Sequence, residues 1–336
     1  MSDKTGIAWT DASWNPVTGC TKVSQGCKHC YAEREWARLS ANPKATAYYG
    51  RAFTDVACHD DRLDQPLRWS KPRMIFVNSM SDLFHEDVPD AFIDKVFAVM
   101  ALAPQHTFQV LTKRPERMLR WFDPGYDNRE HAVGQAMREI AAARGDDHSG
   151  LPEWPLPNVW LGVSIEDQTA ADERIPLLLQ TPATVRWVSA EPLLERVEIG
   201  FAMPWRVAGA AYGQTLDWVV VGGESGPNAR PMHAEWVRKL RDDCAAADVP
   251  LFMKQLGYRY IDKAQRVMGS GCRDSLRFPH DPVREDSLWS AETGGYGIYR
   301  IKRLAHRAGA DMAEWPTDLH LREWPTAVEK MFSGSV

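Results

Sequence analysis

From residue 74 onward the chain alternates between short apolar runs and amphipathic stretches. The runs occupy 74–77, 107–111, 159–163, 185–188, 218–221 and 250–253. They are mostly β-branched or aromatic and mostly unalternated, the pattern of strands buried on both faces. Between them, 90–103 gathers Phe92, Ile93, Val96, Phe97, Val99 and Met100 on one broad helical face, and 168–180 and 233–247 behave alike. Strand–helix alternation at intervals of roughly thirty residues predicts βαβ units around a parallel sheet. Two intervals break the rhythm. Residues 123–157 are rich in Gly, Pro and Asp, hold one short helix candidate at 131–144, and read as an insertion; 199–215 form a smaller one. The expected layout is a core over 1–257 and a C-terminal extension, 258–336, packing on it.

Each apolar run ends in polar residues: Asn78-Ser79-Met80-Ser81-Asp82, Thr112-Lys113-Arg114, Ser164-Ile165-Glu166-Asp167, Ser189-Ala190-Glu191-Pro192, Gly222-Gly223-Glu224-Ser225 and Lys254-Gln255. In a parallel barrel or half-barrel the strand C-termini open on one face, where active sites sit. Six polar strand ends therefore predict one functional mouth. Any single cluster is also explained by the wetness of loops. Glu166, Glu191 and Glu224 have a structural reading as well, a buried ion-pair network with Lys113, Arg114 and Lys254.

Composition narrows the class. Of 336 residues, 44% are hydrophobic and 25% charged, as in a globular protein with a substantial core. Forty basic against 45 acidic residues give a net charge of -5, which excludes a basic coat for nucleic acid but leaves room for a local basic groove. No apolar h-region opens the sequence and no run approaches a membrane span. A reducing cytoplasm without membrane attachment is the expectation. Six cysteines are too few for a disulfide scaffold. Three of them, Cys20, Cys27 and Cys30, lie within eleven residues. Three thiolates can hold three irons of a [4Fe–4S] cluster and leave the fourth open. Zinc would want four protein ligands in a structural site, with His29, Cys58 and His59 as further candidates. Cys244 sits in an amphipathic stretch and reads as core; Cys58 and Cys272 are isolated. His85 and His233 read as surface or cap residues. Lys113, Arg114, Arg117 and Arg120 make one cationic group, and Arg300, Lys302, Arg303 and Arg307 a second. With 14 Trp and 9 Tyr available for stacking they suit a nucleic-acid or nucleotide substrate, or simply solvated helix faces.

A cysteine triplet ahead of polar strand ends, with Tyr31 after the last cysteine, resembles the radical SAM superfamily. More closely, the chain resembles the phage-associated three-cysteine-motif family. The segments that carry the resemblance are Trp14-Asn15-Pro16-Val17-Thr18-Gly19-Cys20, Cys27-Lys28-His29-Cys30-Tyr31-Ala32 and Asn78 to Phe84. Leu111 to Arg117, Gly162 to Glu166, Glu191-Pro192-Leu193, Gly222 to Pro227 and Lys254 to Gly257 continue it. The resemblance implies a partial (β/α)6 TIM-like barrel, a [4Fe–4S] cluster on Cys20, Cys27 and Cys30, S-adenosylmethionine at the open iron, and a protein partner encoded nearby. The spacing departs from the familiar C-x3-C-x2-C: here it is C-x6-C-x2-C. On this reading Ser79 and Asp82 meet the methionine ammonium, and Ser164 and Glu166 take ribose hydroxyls. Gly222 and Gly223 admit the cofactor to the backbone, with Glu224 as a polar anchor. Lys113, Arg114, Glu191, Lys254 and Gln255 face substrate. The alternative is a non-enzymatic iron–sulfur or zinc protein that binds a protein partner or nucleic acid. A metal-assisted hydrolase is disfavoured, because no His-x-His or His-x3-His pair follows a strand.

Overall fold

The computed structural model describes residues 5–123, 129–202, 215–226, 228–262, 264–265, 288–290, 295–299, 302–305 and 308–325. Seven strands form one sheet: β1 (Ala12–Trp14), β2 (Met74–Val77), β3 (Thr107–Thr112), β4 (Val159–Ile165), β5 (Val185–Ala190), β6 (Trp218–Gly222) and β7 (Leu251–Gln255). Their order in space is their order in the chain, and every pairing is parallel. Sequential parallel order is barrel order; β1 and β7 do not pair, so the barrel is partial. All six apolar runs form strands. The seventh, β1, is three residues long between Asp11 and Asn15 and carries no β-branched residue, so its signal was absent from the periodicity.

Helices α1 (Tyr31–Ser40), α2 (Asp90–Leu102), α3 (Pro115–Phe122), α4 (Arg129–Ala143), α5 (Gln168–Gln180) and α6 (Ala234–Ala247) accompany the sheet. The expected insertion supplies α4, which packs on α2 and buries Val133, Ala136, Met137 and Ala141. Of the smaller insertion, 203–214 lie outside the described residues.

Strand parity divides the core in two. Residues such as Ile75, Val77, Val110, Leu161, Val163, Val188, Val219, Val221 and Met253 belong to the cluster shared with the helices. The alternate positions, Met74, Trp160, Val185, Trp187, Trp218, Val220 and Phe252, form a separate inner cluster with Trp9. Alternate residues of a strand face opposite sides of a sheet, so this second cluster lines the concave interior. Four of its members are tryptophans buried to 2% exposure or less. Each removes about 150–250 Å² from water, an upper-bound contribution of roughly 4–6 kcal/mol at about 25 cal/mol per Å². Trp9 meets Phe76 at 4.8 Å, Trp187 at 5.1 Å and Trp218 at 6.1 Å between ring centroids. Gly162 makes room for this packing: a Cβ there would stand 2.5 Å from the Trp187 indole.

The tail contributes to the same layer. Met253 N–H donates to Leu321 O (2.8 Å) and Glu323 N–H to Leu251 O (3.1 Å), so residues 321–323 run along the β7 edge. Trp324 stacks on Trp218 at 5.3 Å, and the Trp218 indole N–H donates to Glu323 O.

Candidate functional site

Following each inward strand face toward its C-terminus, the aromatic lining gives way to polar residues. Trp187 is followed two positions on by Ser189 and then Glu191; Trp160 leads through Gly162 to Ser164; Leu111 leads to Lys113; Phe252 leads to Lys254. These residues surround a cavity of about 460 Å³ lined by Ile7, Trp9, Phe76 and Leu111 among its apolar walls. Ser79, Lys113, Ser164, Ser189, Glu191, Lys254 and Gln255 are its polar lining, together with Gly223 and Glu224. The single mouth anticipated from the six polar strand ends is thus assembled, with contributions from β2 through β7.

The cysteine segment lies over this mouth. Cys20 follows a short antiparallel pairing of Val17–Thr18 with Ala57–Cys58, Cys27 closes a 3-10 turn, and Cys30 is the N-cap of α1. The helix is fixed by Trp36, 3% exposed, which packs on Tyr48 and Phe53 and donates its indole N–H to Arg51 O. Strand-end side chains hold the segment down at several points. Gly26 N–H donates to Glu166 Oε1 (3.4 Å), His29 Nδ1 lies 2.9 Å from Glu224 Oε2, and Arg230 donates to Gln25 O (3.2 Å). Arg114 donates to Thr21 O and Oγ1 and approaches Cys20 Sγ at 3.7 Å. A Cβ at Gly26 would stand 2.9 Å from the Glu166 carboxyl carbon, so a larger residue there would push that carboxylate aside.

The carboxylates of the mouth are individually matched. Glu191 accepts from Lys254 (2.7 Å to each oxygen) and Gln255 (3.1 Å). Lys254 sits where the β6–β7 register shifts, between Met253 and Gln255. Glu166, fully buried, pairs with Arg174 of α5 (3.0 Å). Burial pushes its carboxyl up, but Lys113, Arg174 and a hydrogen bond from Ser24 outweigh it and hold it below the usual range. Glu224 is likewise raised by burial, then carried below its ordinary value by hydrogen bonds from Arg230 and His29. The expected network therefore exists with a changed roster: Lys254 partners Glu191, while Arg174 and Arg230, unflagged by the sequence, hold Glu166 and Glu224.

Other expected site residues take distinct places. Ser79 lines the cavity and donates to Asn15 Oδ1 (3.2 Å). Asp82, 6% exposed, accepts from Thr112 Oγ1, Phe84 N–H, Lys113 N–H and Arg114, and so braces the β2 and β3 ends. A Cβ at Gly222 would stand 3.2 Å from Glu191, and one at Gly223 would stand 2.2 Å from Leu256 O; the two glycines let the mouth pack closely on itself. Arg114 is 5% exposed and paired with Asp82 and Glu86, and Arg117 is paired with Asp90. The first cationic group is thus dispersed, with Lys113 at the cavity. Of the second, Arg300 and Arg307 lie outside the described residues, as does Cys272. His85 corrects the surface reading: it is 3% exposed and sits 2.8 Å from Thr21 Oγ1. His233 is the N-cap of α6. Cys244 is core, 1% exposed, its thiol pushed up to about 12 by burial.

Cys20, Cys27 and Cys30 are free thiols. Burial first, then Asp82, pushes Cys20 up to about 11 against the opposing Arg114. Among the described residues no three His, Cys, Asp or Glu side chains converge into a ready metal site. Cys58 pairs in the short ladder, and His59 Nε2 lies 2.8 Å from Thr18 Oγ1.

A family model matches residues 4–312, nearly the whole length. The chain belongs to the family described as "Protein of unknown function (DUF5131)". None of the curated proteins matches it significantly. Among solved structures it is similar to "Spore photoproduct lyase complexed with dinucleoside spore photoproduct", with 11% identity and a TM-score of 0.32 over 84% of this chain and 67% of that one. No helix of the described residues is long and apolar enough to cross a membrane.

Proposed function

We propose that this member of the family is an iron–sulfur enzyme of radical SAM type, with Cys20, Cys27 and Cys30 as cluster ligands and a nucleotide or nucleic-acid substrate in the cavity below. The observation that carries the reading is the placement of three free thiols on a segment pinned by side chains from the ends of β3, β4 and β6, directly over the polar mouth. The donor chemistry fits three thiolates, and the Arg114 guanidinium beside Cys20 opposes the burial and the Asp82 charge that raise its thiol. The fit lies in the donor set and its position, since the thiols are not preassembled.

Held by Cys20, Cys27 and Cys30, a cluster would supply the electron for reductive cleavage of S-adenosylmethionine, while the protein would orient substrate and exclude water. The residues here are suited to that second task. The inner tryptophan cluster reaches the cavity wall through Trp9, Ser79, Ser164 and Ser189 line the cavity, and Glu191 and Lys254 pair within that lining. His29 and Glu224 tie the cluster segment to the cavity wall, so cofactor and substrate positions are set by one set of strand ends.

Anaerobic reconstitution tests the proposal. Wild type should take up about four irons per chain and release 5′-deoxyadenosine from S-adenosylmethionine under reduction; Cys27→Ala should lose both. One zinc and no iron, or a full cluster without cleavage, would remove the enzymatic reading in favour of a binding module.

A further inference from the structure

The cavity carries unmatched positive charge. Glu191 is neutralised by Lys254, Glu224 by Arg230, and Glu166 by Arg174. Lys113 and Arg34 both line the cavity, and among the described residues neither is in a direct ion pair; Lys113 lies near enough to lower the Glu166 carboxyl, which Arg174 already pairs. Arg34 is exposed at the rim and donates to Ser225 O. Lys113 is half-buried; its ammonium donates to Ser164 Oγ, itself a cavity-lining hydroxyl that donates to Glu191 O (3.2 Å). An ammonium drawn partly out of water with only a hydroxyl acceptor keeps donors available for an anion.

A second observation lies among the apolar walls. Trp9 and Phe76 line the same cavity with their ring centroids 4.8 Å apart. An aromatic wall beside a cationic residue matches a planar heterocycle joined to an anionic group.

We infer that Lys113, with Ser164, binds the phosphate of a nucleotide whose base packs against Trp9 and Phe76. This deepens the proposed substrate reading and rests on it only for the nucleotide class. Lys113 acts here as a binding residue for the phosphate, and the base enters the cavity ahead of it.

Equilibrium binding to the full chain, without reductant or S-adenosylmethionine, tests this with thymidine 5′-monophosphate and thymidine as probes. Wild type should prefer the monophosphate by about tenfold, the scale of one charge-assisted hydrogen bond. Lys113→Met should abolish that preference without weakening thymidine binding, and Lys113→Arg should retain it. Equal affinities in wild type, no binding of either probe, or a preference that survives Lys113→Met overturns the inference. Because no turnover is needed, a preserved preference in a protein that never cleaves S-adenosylmethionine would sink the radical reading and leave this one standing.

Discussion

His29 and Glu224 are separated by 195 positions in the chain and by 2.9 Å in space. The contact joins the cysteine segment to the end of β6, and Glu224 is simultaneously held by Arg230 through its side chain and backbone N–H. One carboxylate therefore couples the metal-ligand candidate segment to the wall of the cavity.

Glu224→Gln keeps the shape but weakens both contacts. By analogy with outer-shell partners of metal ligands, reconstituted protein should lose its iron to a chelator at about ten- to a hundredfold lower concentration. Chelator competition followed by iron absorbance measures this. Retention equal to wild type would show that the segment does not depend on the β6 anchor.

Gly162→Ala tests the interior packing. The added methyl would meet the Trp187 indole at 2.5 Å, and Trp187 is itself wedged against Trp9 and Trp218. Overpacking of this kind costs about 1–3 kcal/mol. Urea denaturation should show a lower midpoint with an unchanged slope.

Acid should weaken the attachment of the tail. Asp318 accepts from Arg238 and Arg241 of α6, and these hydrogen bonds bring its carboxyl from 3.8 down to about 2. A depressed carboxylate stabilises the fold above its unfolded value and loses that contribution as pH falls through the folded one. The contribution is thus present above pH 3.8 and disappears as pH falls toward 2. Asp318→Asn should flatten the pH dependence of stability over that window, and Asp318 is exposed enough that the effect is modest. Thermal melts of the two proteins across the window measure the difference.

The sheet was legible because its strands are apolar on both faces, so each run stood out as an uninterrupted block. The same property hid the interior: Trp160, Trp187 and Trp218 looked like any other strand residue until parity separated them from their helix-facing neighbours. Residues next to strand ends, such as Lys113, Ser164 and Glu191, are brought to the cavity by the apolar runs that precede them. Their partners were missed where the chain had moved on before returning. Arg174 lies on the second turn of α5, where a charged residue reads as solvent-facing, yet it is 6% exposed against Glu166. Arg230 follows Glu224 by six positions in a stretch with no periodicity. His85 was misread because a lone histidine in a polar loop carries no sign that Thr21, 64 positions away, will cover it.

Trp9, Trp218 and Trp324 form a chain of ring contacts from a residue before the first strand to one after the last. On the ribosome the inner aromatic cluster therefore stays incomplete until Trp324 has emerged, after all seven strands have been made. A nascent chain at that stage exposes indole surface to water and to other chains. Loss of Trp324 would therefore uncover the Trp218 indole at the far side of that cluster.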